Sequence, residues 1–100
     1  MSSSQTRDFA AEVRRRRGLL QGSVKRGEAD LQRVIRETPS WMRNVRVLDA
    51  LIWVPGHGSI GAERMLKRLG IDPWAEIGRL NVIERLALCA ELDDLEARAA

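Results

Sequence analysis

Cysteine is almost missing from this chain: Cys89 is the only one in 100 residues. That excludes an intramolecular disulfide, and with a lone histidine, His57, it excludes the Cys/His clusters that hold zinc. Cys89 reads as a small buried apolar residue. Tyrosine is absent, and the aromatic residues are one Phe and three Trp. No apolar run approaches the ~20 residues that a membrane span requires. The opening MSSSQTRDF lacks an apolar signal core, so the expected location is the cytoplasm, with no membrane partner. No base–nucleophile pair accompanies His57, and neither Glu63 nor Glu84 has a partner carboxylate with a recognisable purpose. The chain therefore reads as a non-enzyme, with no catalytic residue, metal, cofactor or small-molecule substrate.

What remains is helix-friendly. Apolar residues make up 44% and charged residues 31% of the sequence, rich in Ala, Leu, Arg and Glu. There is no alternating strand pattern and no internal repeat, so the fold class is all-α. The length suits one compact core. The net charge of +3 hides an asymmetry: residues 1–46 hold eleven Arg/Lys against five Asp/Glu, residues 47–100 six against nine. A basic front half of this kind suits a polyanion, because phosphates release counterions when cations replace them.

A first helix is expected over residues 5–22, capped by Ser4 or Thr6, with Gly18, Gly22 and Gly27 weakening it thereafter. Arg14, Arg15, Arg16 and Arg17 cover more than one turn and point in nearly every direction. A second helix is expected over residues 28–37, where Leu31, Val34 and Ile35 repeat on one face and Pro39 stops it. A third is expected over residues 45–53, with Val47, Leu51 and Val54 inward. A fourth is expected over residues 60–69, capped by Ser59, striped by Ala62, Met65, Leu66 and Leu69, and stopped by Gly70. Asn81 and Glu84 form a capping box for a last helix that buries Leu86, Cys89 or Ala90, and Leu92. Trp41, Trp53 and Trp74 read as core or core-edge plugs. The expected organisation is a basic helical arm at 1–27, a compact domain at 28–92 and an acidic, fraying tail at 93–100.

The stretch Val54-Pro55-Gly56-His57-Gly58-Ser59 cannot continue a helix, because proline lacks an N–H and glycine favours positive φ. A tight turn before a helix bares backbone amides at the positive helix end, a site for one phosphate. Many plain helix–helix turns also contain glycine. His57 fits either a role beside a phosphate or that of a spacer.

The run LIWVPGHGSIGAERMLKRLGID, followed by IGRLNVIERL, resembles the actinobacterial integration host factor family. Pro55, Gly56, Gly58, Ala62, Arg68, Leu69, Gly70 and Ile71 keep that register, and RRRR…VKRGEADLQRVIRE resembles the family's basic first helix and the helix after it. Together these cover roughly residues 12–92. A weaker resemblance, to the helix-two-turns-helix region of a ribosomal head protein and some DNA glycosylases, is confined to the glycine turn and the Leu-Gly-Ile stop. The family resemblance implies a nucleoid-associated protein that binds duplex DNA with little sequence preference, through a long N-terminal helix and a helix-two-turns-helix unit. It implies backbone contacts at Gly56, His57, Gly58 and Ser59. It also implies phosphate contacts from Arg64, Lys67 and Arg79, and from Arg14 to Arg17 with Lys25 and Arg26. A role in recombination would add a recombinase or another nucleoid protein as partner. This chain departs from the family in carrying His57 between the glycines, Ser59 and Gly61 at positions that are often basic, and Ala75-Glu76-Ile77-Gly78 where an Arg-rich loop is usual. The front half is therefore expected to carry more of the affinity. The alternatives are an RNA- or ribosome-associated protein and a protein-interaction module in which Trp74 and the acidic half dock on a partner.

Overall fold

The computed structural model describes the backbone of residues 3–99 and the side chains of residues 8–98. These form five α-helices: α1 (Ser3–Lys25), α2 (Leu31–Glu37), α3 (Val47–Ile52), α4 (Ser59–Leu69) and α5 (Val82–Ala99), with 3₁₀ turns at Ser40–Met42 and Ile77–Arg79. No strand occurs among the described residues, and the all-α expectation holds.

Helix α1 runs further than its glycines suggest. It is already helical at Ser3, so Ser4 and Thr6 lie inside it rather than capping it, and it continues through Gly18 and Gly22 to Lys25. At 1.5 Å per residue it is about 34 Å long. The half-buried Val13, Arg17 and Leu20 and the buried Val24 fall on one face, and these contacts offset the intrinsic cost of the two glycines. Phe9 belongs to the opposite end of the helix and is exposed. Gly27, at φ 73°, then turns the chain: its N–H reaches the Val24 carbonyl at 3.0 Å and that of Glu28 reaches Ser23 at 2.8 Å. This paired closure satisfies the end of the helix. It also delays α2 to Leu31, three residues beyond the expected start at 28.

The core forms where α2, α3, α4 and α5 meet. Leu31, Ile35, Met42, Leu51, Leu66, Ile77 and Leu88 are its largest buried side chains, each contributing roughly 1.5–3 kcal/mol. Val47, Leu51, Ala62, Met65 and Leu66 are buried as expected, whereas Val54 and Leu69 are half-buried. In α5 the inward face is Leu88, Cys89 and Leu92, so of the alternatives Cys89 or Ala90 it is Cys89 that is buried; Leu86, expected inside, is exposed. Helix α5 docks on α2. Buried Gln32 seals that contact, its amide donating to Asp93 Oδ1 at 2.9 Å and Glu96 Oε2 at 2.8 Å. Asp93 and Glu96 thus lie in helix α5 and hold α2 through Gln32. Cys89 Sγ donates to the Gln32 carbonyl at 3.3 Å, and burial pushes its thiol pKa up, which keeps it protonated and inert.

Both expected helix signals around α4 and α5 can be followed atom by atom. Gly70 stops α4 at φ 72°, with Ile71 N–H on the Leu66 carbonyl at 2.8 Å. The capping box opens α5: Asn81 Oδ1 accepts from Glu84 N–H at 2.7 Å, and Glu84 Oε1 accepts from Asn81 N–H at 2.9 Å. Less expected is a short backbone ladder between the segments 43–47 and 73–78. Val47 donates to Ala75 (2.9 Å), Ile77 to Val45 (2.9 Å) and Gly78 to Arg43 (3.0 Å). Val45, Val47 and Ile77 point into the core, while Arg46, paired opposite Glu76, is exposed. This alternation is the two-residue period of extended backbone.

Candidate nucleic-acid interface

Residues Val54 to His57 form a tight turn closed by His57 N–H on the Val54 carbonyl at 3.2 Å, with Pro55 second and Gly56 third at φ 74°. Proline second and a positive φ third define a type II turn, which needs glycine at that third position. Gly58 is different: at φ −85° and ψ 174° it adopts an extended conformation open to any residue. It, not Ser59, is the N-cap of α4, and no side chain caps the helix. Ser59 is the first helical residue because the turn places Gly58 at the boundary.

The first backbone bond into α4 is Ala62 N–H to the Gly58 carbonyl at 2.9 Å. Among the described residues, the amides of Gly58, Ser59, Ile60 and Gly61 have no acceptor, and all four residues are exposed. Four unpaired N–H groups at the positive end of an 11-residue helix suit a phosphate oxygen.

His57 does not join that row of donors. Its ring lies over Gly61, whose missing side chain gives it room: a Cβ there would sit 3.6 Å from Cε1 and Nδ1. Its Nε2 is shielded and unpartnered, and burial lowers its pKa below the usual 6.5, so the ring is neutral at pH 7. This geometry suits a spacer that seats the turn better than a cation beside a phosphate.

The cations fall into four neighbourhoods. Val24 and Gly27 at the end of α1, Pro55, Gly56 and His57 of the turn, and residues of α2 and α5 together line a cleft of about 490 Å³; Lys25 and Arg26, both exposed, lie between Val24 and Gly27 in the sequence. The end of α1 and the glycine turn therefore open on the same cleft. Arg26 is tied to Glu28 at 3.1 Å and its guanidinium lies over Gly22. Along the solvent face of α4, Ile60, Arg64 and Lys67 follow at helical spacing, all exposed, and the two cations have no carboxylate partner among the described residues. Ile60 is 68% exposed, an aliphatic side chain standing directly beside the free amides.

The arginine run splits by role. Arg17 Nε donates to the Trp41 carbonyl at 2.7 Å, fastening α1 to the 3₁₀ turn at Ser40–Met42. Arg15 and Arg16 share Glu12, at 2.7 and 2.8 Å, and these hydrogen bonds lower the Glu12 pKa to about 2. Arg14 is exposed with no carboxylate partner among the described residues. Arg14 and Lys25, eleven residues apart, share the outward side of α1 with Ala11, Gly18 and Gly22, since 11 residues make close to three full turns. Apart from its chain neighbours and the helix's own backbone, nothing lies within 4 Å of a Cβ at Gly18, so the surface of α1 is open there.

The fourth neighbourhood is the ladder end. Arg79 is tied to Glu76 at 3.4 Å, and the exposed Arg43 and Arg46 join it there. These two arginines are not in the family-derived contact set, because only the backbone ladder brings them to Arg79. Trp74, expected at the core edge, is instead 61% exposed, with the Arg46 guanidinium 5.2 Å from its ring centroid. Trp41 and Trp53 do pack against the core.

No protein-family profile matches the chain, and no curated protein matches it by sequence. Among solved structures, the fold is similar to that of sIHF in a complex with an 8-bp palindromic DNA. The TM-score is 0.77 at 26% sequence identity, over 85% of this chain and 98% of that one.

Proposed function

From its structural match to sIHF, the actinobacterial integration host factor, we propose that this chain is a sequence-tolerant architectural protein that clamps the phosphate backbone of duplex DNA. The observation that carries the reading is the open first turn of α4, with four exposed and unpaired amides, on the fold of a protein solved with DNA bound. A phosphate seated on those amides accepts hydrogen bonds without revealing its base, so the contact positions the duplex and reads no sequence. Lys25 and Arg26 add charge at the end of α1, which opens on the same cleft as the turn, and Arg64 and Lys67 extend the contact along α4. Arg14, Arg15 and Arg16 on α1 supply a second line of charge. Two separated rows of phosphate contacts on one rigid body hold the duplex in a fixed orientation, which suits bending or bridging. The chain acts on DNA by binding and does no chemistry, in the nucleoid or in recombination.

Gel shift or anisotropy with a random-sequence duplex tests this. Binding at low salt that weakens steeply as salt rises is expected, and structured RNA should compete less well than duplex DNA. Equal or better competition by RNA would favour the ribosome-associated reading. A protein-partner role alongside DNA binding is supported by a separate observation: Val82, Ile83 and Leu86 at the start of α5 are all exposed. Leu86→Glu should then abolish partner capture, for example of a recombinase, and leave duplex binding unchanged.

A further inference from the structure

Trp74 stands out among the side chains that phosphate clamping leaves without a role. An indole that is 61% exposed forgoes a large burial gain, yet the backbone beneath it is firmly held. Its N–H donates to Asp72 Oδ1 at 3.0 Å. On either side of it, the carbonyls of Pro73 and Ala75 accept from Leu48 (3.3 Å) and Val47 (2.9 Å). Arg46 stands opposite Glu76 in the ladder and lays its guanidinium 5.2 Å from the ring centroid, a cation–π contact that occupies one face of the indole. Gly78 brings Arg43 close: a Cβ at Gly78 would sit 3.0 Å from Arg43 Cβ and 3.1 Å from its carbonyl oxygen. Arg79 follows at once in the sequence. Arg46 thus covers one face of the ring, while Arg43 and Arg79 stand further along the same ladder, Arg43 beside Gly78 and Arg79 paired with Glu76.

We propose that Trp74, backed by Arg46, is a stacking platform for an unpaired nucleic-acid base whose flanking phosphates are taken by Arg43 and Arg79. The proposal rests on the reading that the chain binds nucleic acid. Inside a duplex each base is stacked on its neighbours and offers no face to a protein ring; at a gap, a frayed end or a single strand it does. Stacking on an aromatic tolerates any base, since every base has a π face, and arginines along the ladder hold the backbone without reading sequence. The platform therefore selects discontinuous or opened nucleic acid over intact duplex.

The test compares the full chain with Trp74→Ala and Trp74→Phe on a blunt duplex and on the same duplex carrying a short central single-stranded gap, by anisotropy at fixed salt. Wild type should bind the gapped probe more tightly than the blunt one. Trp74→Ala should lose on the order of 10-fold on the gapped probe and less than about 2-fold on the blunt one, while Trp74→Phe keeps most of the preference. Because the side chain is exposed, thermal melting of both variants should match wild type. A wild type that binds both probes equally, or a Trp74→Ala variant that keeps the gap preference or loses equally on both probes, overturns this proposal and leaves duplex clamping intact. A wild type that binds neither probe at low salt overturns both.

Discussion

The two glycines of the turn should respond to substitution with opposite signs. Gly56 sits at φ 74°, where a Cβ costs about 1–2 kcal/mol. Reduced freedom of the unfolded chain returns about 0.4–1 kcal/mol. Gly56→Ala should therefore destabilise by about 1 kcal/mol net and lower Tm by about 4–8 °C. Gly58 has an ordinary extended backbone, a Cβ there has open space, and the position is an N-cap with no side-chain bond. Serine is a better N-cap than glycine by a few tenths of a kcal/mol, so Gly58→Ser should melt at or slightly above wild type. Its hydroxyl would, however, accept from the amide of Ile60 or Gly61, the same donors assigned to the phosphate. Loss of one such charge-assisted contact, about 1.5–3 kcal/mol, should weaken duplex binding by about 10-fold or more. Thermal melts by circular dichroism and anisotropy on one short duplex read both effects. If Gly58→Ser melts clearly below wild type, or binds DNA as well as wild type does, the assignment of those amides is wrong.

Glu12 holds Arg15 and Arg16 through hydrogen bonds at 2.7–3.0 Å. Glu12→Gln should free both guanidiniums and remove a negative charge from the arm proposed to face DNA, raising duplex affinity several-fold at low salt; unchanged or weaker binding would place the arm away from DNA. His57 has a pKa lowered by burial, so the unfolded chain takes up its proton before the folded one does, and the folded state loses stability as pH falls through about 6.5. The Tm of wild type should fall more than that of His57→Asn between pH 7.5 and pH 5.5, whereas their duplex affinities at pH 7.5 should agree within about 2-fold, as expected for a neutral spacer.

Much of the fold is legible in the sequence where a local rule decides the outcome. Gly70 stops α4 because the left-handed cap needs glycine, and Asn81 with Glu84 opens α5 because the capping box is closed within four residues. Tertiary contact decided the rest. Helix α1 survives Gly18 and Gly22 because Leu20 and Val24 dock on the body. The register of α5 turns Leu88 inward and leaves Leu86 exposed because α2 and α4 pack against one particular side of it. The ladder between 43–47 and 73–78 consists of backbone bonds between two short irregular segments, which leave no periodic trace. For that reason Arg43, Arg46 and the outward Trp74 could not be placed beside Arg79 from sequence. The glycine turn was legible as a turn, but the division of labour within it was not: the strained conformation belongs to Gly56, and the open amides begin at Gly58.

The central claim is that several separate cations and the α4 amides engage phosphates at once, and a salt titration of duplex binding tests it most directly. Arg14, Lys25, Arg64 and Lys67 are exposed without a carboxylate partner among the described residues. With about 0.9 unit of slope per contact, they predict a plot of log K against log salt with a slope of about −4 or steeper. That amounts to a loss on the order of 100-fold between about 50 and 200 mM salt. Neutralising Arg14, Arg15 and Arg16 together should flatten the slope by at least about one unit. A slope near zero, or one that this neutralisation leaves unchanged, would contradict the account.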